Sequence, residues 1–423
     1  METCEVAVLG AGLAGLCAAR DLQEANVDVV LLEGRDRVGG RTWSKSFDAV
    51  GCIVDLGAEW LAPQHHTALV KELTRYGLGL ELSEAAQDAT LQTLSRSETS
   101  GFSSLLSRLD KIAQTFNVRD PAWYQSLASF DLPVSEYLED LDLEPEDEIS
   151  LLANGFALQG ADPAQYSLIN LLHEFASFGS VDEAFYAAEC RIEGGAQALS
   201  IALAEVLGDR LRLNWRVDSV SLTDNGLLIQ GPSAQLHAQQ VIIALPVNVM
   251  SDLTLDLPLP QAALSVITRG HVGRAAKGWA SATMPNPVES TGWPKAVEVY
   301  CREGSRSRAV CTFAVGTPSH EQALEDSWAA VSQRHPEVTL TGGFLSHDWL
   351  SDPFAKGSWL SAAPGQSSGL QQLADAPPPC VFAGGDLSRG WYGWMEGAVT
   401  SGADAARRIL VYRERGEKLP ASA

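Results

Sequence analysis

An apolar run, CEVAVL, meets the series Gly10-Ala-Gly12-Leu13-Ala14-Gly15 and passes directly into LCAARDLQEA, where Leu16, Ala19, Leu22 and Gln23 recur at helical spacing. The pattern predicts strand, tight turn and helix. Gly10 permits the turn, Gly12 lets backbone approach a pyrophosphate, and Gly15 lets the helix pack on the strand. The helix N-terminus, with Leu13 and Ala14 in its first turn, then offers unpaired N–H groups to phosphate. A second apolar run, VDVVLLE, closes at Glu33, about 20 residues on, where a carboxylate accepts from a ribose diol and repels a 2′-phosphate. The strand before, the helix after and the acid at this distance turn a weak glycine motif into a dinucleotide site. Gly34 and Arg35 follow, and then Gly39-Gly40-Arg41-Thr42 sets a cation on a glycine-flexed loop suited to a diphosphate.

With 423 residues the chain is too long for one ordinary core, so two interleaved domains are expected. No apolar run approaches the ~20 residues that span a bilayer, and METCEVAVLG enters the first strand with no room for a signal peptide. Seven scattered cysteines, none in a CxxC pair, argue against a disulfide framework or a zinc site and for a reducing cytoplasm. The net charge of −23, from 53 acids and 30 bases, argues against nucleic acid as a partner, since that binding rests on cations that neutralise phosphate. The same field draws cationic amines, although acidity serves solubility equally well.

A distal run, VFAGGDLSRGWYGWMEGAVTSGADAARRIL, repeats the strand-turn-helix theme. Its strand ends at Gly384-Gly385-Asp386, and the helix opening at Met395 has an N-terminus suited to negative charge on a reduced isoalloxazine. Asp386 would accept a ribityl hydroxyl.

Together with LLEGRDRVGGRTWS, DLGAEWLAP, RIEGGAQALSIALAEVLGDRLRLNWRVDSV, VIIALPVNVM and AAKGW, these segments resemble the flavin monoamine oxidase family, in its order and over nearly the whole chain. The fold this implies is α/β: a Rossmann-like FAD-binding domain of the glutathione-reductase type, with a parallel sheet and helices, interleaved with an α+β substrate domain of mixed sheet plus helices. The expected boundaries are 1–81, 190–251 and 355–423 for the first, and 82–189 and 252–354 for the second.

By the same resemblance Gly57, Ala58, Glu59 and Trp60 run beside the flavin, with Trp60 near the ring, although packing explains a tryptophan equally well. Val217 meets adenine through its backbone. Gly385, Asp386, Gly393, Trp394 and Met395 complete the cofactor contacts. Lys277 falls where the family's lysine holds a water against the reducible ring nitrogen, eased by its charge. Trp359 and Trp394 fall at the positions of two facing aromatic rings, often tyrosines, between which the amine approaches. Two indoles make a larger, flatter slot, which favours an aromatic or bulky amine. Ser358 stands where membrane-bound relatives carry a cysteine joined to the flavin; serine cannot form that bond, so FAD is expected to be non-covalent. His173, Phe175 and Phe178 lie in a helix that needs its apolar groups for burial first, with pocket lining a second role.

The implied reaction is oxidation of an amine to an imine that hydrolyses to aldehyde or ketone, with dioxygen reduced to hydrogen peroxide, no membrane and no metal involved, and a homodimer allowed. Three other readings remain. An amino-acid oxidase needs an arginine for the carboxylate, for which Arg191, Arg269 and Arg274 are unplaced. A dehydrogenase or desaturase would make no peroxide. A flavin-holding interaction protein would not turn over at all.

Overall fold

The computed structural model describes residues 2–84, 100–316 and 319–416. The 85–99 part of the expected helical block and the last seven residues of the tail lie outside them.

The first strand (Glu2–Leu9) pairs in parallel with Val29–Leu32 on one side and Gln235–Ile243 on the other. Leu211–Arg212 and Cys380–Phe382 extend this parallel core outward. Its strands are apolar on both faces, as a sheet covered by helices on both sides requires. Alternate residues part cleanly: Val6, Val8, Val29, Leu31 and Ile242 pack under the helices Leu13–Glu24, Gln197–Leu207 and Met395–Glu414. Ala7, Leu9, Val30, Leu32 and Ile243 pack under Gln261–Arg269 and Ser367–Ala374. An antiparallel pair, Ser219–Thr223 and Gly226–Gln230, widens the sheet, so it is not parallel throughout.

Thr254–Asp256 still pairs with Ser219–Thr223 in this sheet, and the Gln261–Arg269 helix belongs to its core. The chain therefore leaves the sheet near Gly270, later than the expected departure at 252. Proline at 258 and 260 marks a turn within the layer, which sequence reads as an exit.

The second sheet orders Ser290–Thr291, Glu298–Glu303, Arg308–Val315, Ala275–Thr283 and Thr339–Ser346, all antiparallel. The expected mixed sheet is thus antiparallel, because hairpin-scale connections join most of its strands. Its period of two divides roles. Gly278, Val299, Cys301, Val310 and Ala314 turn towards the helix side, where His320–Arg334 packs. Lys277, Trp279, Glu298, Tyr300 and Phe313 share the opposite face. Helices between Ser100 and Phe185 form a separate apolar core around Trp123, Leu151, Leu172 and Phe175.

Candidate active site

Outside the carboxyl ends of the parallel strands, the usual location of ligands in such sheets, begins a cavity of about 680 Å3 that extends to the inner face of the antiparallel sheet. Gly10, with φ +99°, makes the turn; a Cβ there would sit 2.7 Å from the Ala244 carbonyl oxygen. Gly15 carries the packing role expected of it, since its Cβ would fall 1.9 Å from the Gly10 carbonyl oxygen, and it stays off the cavity wall. Gly12 differs from both. Nothing lies within 4 Å of its absent Cβ, and it caps the Leu13–Glu24 helix with no side-chain bond to the first N–H groups. An open cradle before uncapped donors is what a pyrophosphate needs.

The Glu33 carboxylate, at the end of the second strand, accepts from the backbone N–H of Ala11 at 2.8 Å and of Arg35 at 2.9 Å. Burial raises its pKa against those two bonds, and its remaining lone pairs are available to a diol. Gly34, Arg35, Gly39, Gly40, Arg41, Thr42, Val217, Gly385, Gly393 and Met395 also line the cavity. Trp215, Pro353 and Phe354 join them unanticipated.

Asp386 does not line the cavity, although Gly385 beside it does. It lies behind the wall and 1% exposed, where one oxygen takes Arg41 Nη2 at 2.7 Å and the other the Val247 N–H at 3.1 Å. Burial opposes its charge, but Arg41 holds its pKa below the ordinary value. Arg41 also donates to the Ser358 carbonyl at 2.8 Å, so Asp386 holds Arg41 in place.

At the other end stands Lys277, 4% exposed and therefore no surface lysine. Its Nζ donates to Glu59 Oε2 at 2.5 Å and to the Gly57 carbonyl at 3.2 Å. Glu59 also accepts from the Tyr300 hydroxyl at 2.6 Å and from Arg191 at 3.4 Å, while Arg191 pairs with Glu84 at 2.5 Å. Burial works against the Lys277 ammonium, yet Glu59 outweighs it and raises the pKa. Burial likewise works against the Glu59 carboxylate, which Lys277 and Arg191 hold ionised. Glu59 is on the cavity wall, as expected, but its oxygens are engaged with the protein.

Glu298 was not foreseen. Of the five acids on the described wall (Glu33, Glu59, Asp218, Asp252, Glu298), it alone has no hydrogen bond or ion pair. Burial, then repulsion from Glu289, push its pKa up to about 7. A sequence clue exists: EVY places an acid and a tyrosine two apart, on one face of a strand.

Trp359 and Trp394 both line the cavity, and each indole N–H is tied down. Trp359 donates to the Leu158 carbonyl and Trp394 to Glu174 Oε1, both at 2.6 Å. Gly160 ends the Pro145–Gln159 helix at φ +59°, and a Cβ there would meet Trp359 at 2.6 Å. Gly57, Ala58 and Trp60 are also on the wall, with Trp60 edge-on to Tyr300 at 5.1 Å. His173, Phe175 and Phe178 are not. All three are buried in the helical core, and Phe178 backs Trp394 with ring centroids 5.3 Å apart. Burial of the helix's apolar face has taken precedence over pocket lining.

Ser358 is on the wall, its Oγ accepting from the Ala275 N–H at 3.1 Å. Among the described residues no cysteine lines the cavity.

The sequence profile described as "Flavin containing amine oxidoreductase" matches residues 13–410. The chain is 29% identical over 434 residues to (S)-6-hydroxynicotine oxidase of Paenarthrobacter nicotinovorans, covering 95% of this chain and 98% of that protein. It is 27% identical over 462 residues to putrescine oxidase of Kocuria rosea, covering 96% and 95%. The solved structure of cyclohexylamine oxidase from Brevibacterium oxydans IH-35A superposes with a TM-score of 0.85 at 23% identity, over 97% of this chain and 100% of that one. That last likeness is one of fold.

Proposed function

The chain belongs to the flavin-containing amine oxidoreductase family, an FAD-dependent enzyme that oxidises amines, and on that premise we propose which residues do the work and on what kind of amine. The observation that carries the proposal is one continuous cavity joining the Gly12 cradle to a wall bearing Lys277, Trp359 and Trp394. Gly12, Leu13 and Ala14 would hold the pyrophosphate of FAD there, Glu33 its ribose diol and Val217 its adenine, and the cofactor would supply the acceptor for a hydride equivalent from the amine α-carbon. Arg41, fixed by Asp386, supplies a cation beside the same cofactor. With serine at 358 and no cysteine on the wall, the attachment is non-covalent.

Trp359 and Trp394 admit the amine edgewise and hold it in a dry slot. Their size favours an aromatic or otherwise bulky amine. Glu298 adds a polar end to that slot, so an amine with a second hydrogen-bond donor gains a partner there. Lys277 has three N–H bonds, two of them satisfied by Glu59 and Gly57, and the third serves a water. Its charge lies where negative charge builds as electrons pass to dioxygen, giving hydrogen peroxide. The substrate reacts as the free amine, and turnover therefore rises with pH as that amine loses its proton.

An amino-acid substrate is disfavoured. Arg191 is held by Glu59 and Glu84, Arg269 and Arg274 are exposed and off the wall, and Glu298 would repel a carboxylate. No helix among the described residues is long and apolar enough to cross a membrane. All seven cysteines are unpaired, which supports a reducing, cytoplasmic setting.

The test is anaerobic mixing with primary, secondary, aromatic and slender aliphatic amines while flavin absorbance is followed. Bleaching by bulky amines, followed by peroxide on admitting air, is expected. Bleaching only by free amino acids would select the amino-acid oxidase. Bleaching that air fails to reverse, but a quinone does, would select the dehydrogenase. No bleaching by any compound would leave the interaction-protein reading.

A further inference from the structure

Glu174 has no part in the reaction as described. It is a lone acid in LINLLHEFASF, the apolar helix Leu168–Phe178, and is 6% exposed. Among the described residues no cation pairs with it. Its two oxygens instead meet neutral donors from opposite sides: Trp394 Nε1 at 2.6 Å and the Gln159 side-chain amide at 2.5 Å. Gln159 ends the helix whose Leu158 carbonyl takes the Trp359 indole, and its other amide atom lies 3.2 Å from Ser361 Oγ. Leu158, Gln159 and Glu174 thus tie both indoles to one helix end.

A buried carboxyl without a cation keeps its proton, and burial pushes Glu174 up to about 8 against its two hydrogen bonds. Gln159 Nε2 donates to one Glu174 oxygen and Trp394 Nε1 to the other, while Gln159 Oε1 accepts from the Ser361 hydroxyl, so the network joins Glu174 to neutral partners alone.

We propose that Glu174 is a positioning residue for amine oxidation, fixing the plane of the Trp394 indole and so the width of the slot opposite Trp359. Trp394 rests on His66 at 4.9 Å and Phe178 at 5.3 Å, and to these non-polar contacts the bond from its N–H to Glu174 adds a directional one. The inference rests on the reading of Trp394 as a substrate-slot residue.

The experiment is a double-mutant cycle on the FAD-loaded protein, with Glu174→Ala, Trp394→Phe and the pair, read as KM and kcat for one bulky amine. Phenylalanine has no N–H to fix. Glu174→Ala alone should raise KM about tenfold, the modest end of what a misplaced contact group costs, with kcat changed less than about threefold. In the Trp394→Phe background the same change should add less than about twofold. Glu174→Gln keeps an acceptor and should restore KM to within about twofold of wild type. Indole emission from the holoenzyme should shift in Glu174→Ala and return in Glu174→Gln.

Additive effects in the cycle, or a Glu174→Gln variant as impaired as the alanine variant, would overturn the inference. If Glu174→Ala does not retain FAD, Glu174→Leu fills the space without an acceptor and takes its place in the cycle. Should Trp394→Phe and Trp394→Ala both leave every amine's kinetics unchanged, it is the slot that fails, and that outcome is distinct from additivity.

Discussion

The two ends of the cavity are built on different principles. At the nucleotide end the contacts come from backbone and from glycines spaced a few residues apart, so one short stretch specifies the geometry. At the amine end Lys277, Glu59, Tyr300, Glu298 and the two tryptophans come from five separate segments, joined only by tertiary packing. Their electrostatics differ too. Asp352 and Asp386 meet arginines, Arg35 and Arg41, and are held below the ordinary carboxyl range against burial. Among the described residues Glu174 meets only neutral donors and Glu298 has no ion-pair partner; burial lifts both, and repulsion from Glu289 lifts Glu298 further.

The widest separation between the ends should come from Gly12→Val. The added side chain enters open space, so the fold survives while the cradle fills. We expect a folded, colourless protein with turnover down by at least about 10²-fold, the scale of a lost preorganised contact. A variant that keeps one yellow flavin per chain would break the assignment of that end. Next in size is Lys277→Met at the other end. Glu59 keeps Arg191 and Tyr300, so FAD should remain bound while aerobic turnover falls about 10²-fold. Stopped-flow traces should show the loss mainly in reoxidation; an equal loss in anaerobic bleaching would move Lys277 into the amine step.

This contrast also explains what the sequence made legible. The parallel core, its helices and the wall from Gly10 to Thr42 follow from local periodicity and glycine chemistry, which need no knowledge of distant partners. The partners of Asp386 were not legible, because its motif is local while one of its oxygens turns to Arg41, 345 residues away in sequence. Glu298 and Glu174 were invisible for a related reason: an acid on a strand face or an apolar helix gains meaning only when the opposing wall is known. His173, Phe175 and Phe178 show the easier case, since aromatic residues at helical spacing serve the core before they serve a pocket, and all three are buried. The trace that could have helped was the charged residue breaking an otherwise apolar pattern.

A smaller effect should follow from Glu298→Gln. For an amine with a second cationic nitrogen, losing the carboxylate should raise KM about tenfold, the lower end for a hydrogen bond to a charged group. Because Glu298 ionises near 7, wild-type KM for such an amine should fall as pH rises through that value. The glutamine variant should show no such fall, and simple monoamines should be nearly indifferent to the change. Identical pH profiles in the two proteins would remove Glu298 from substrate recognition.

The smallest expected effect concerns stability, and there the two ends pull in opposite directions. Folded Asp352 and Asp386 release protons more readily than in the unfolded chain, so their contribution is present above the ordinary carboxyl pKa and is lost as pH falls. Glu174 behaves inversely. The folded protein holds its proton up to about 8, whereas an ordinary glutamate, at 4.5, has released it. Across that window the unfolded state binds fewer protons, and stability therefore declines as pH rises. Glu174→Gln carries no titrating proton and should flatten the decline, so that its Tm relative to wild type climbs by a few degrees between pH 6 and 9. Calorimetry with saturating FAD measures this; parallel Tm curves would mean that Glu174 is ionised in the folded protein, with a counter-charge drawn in from solvent.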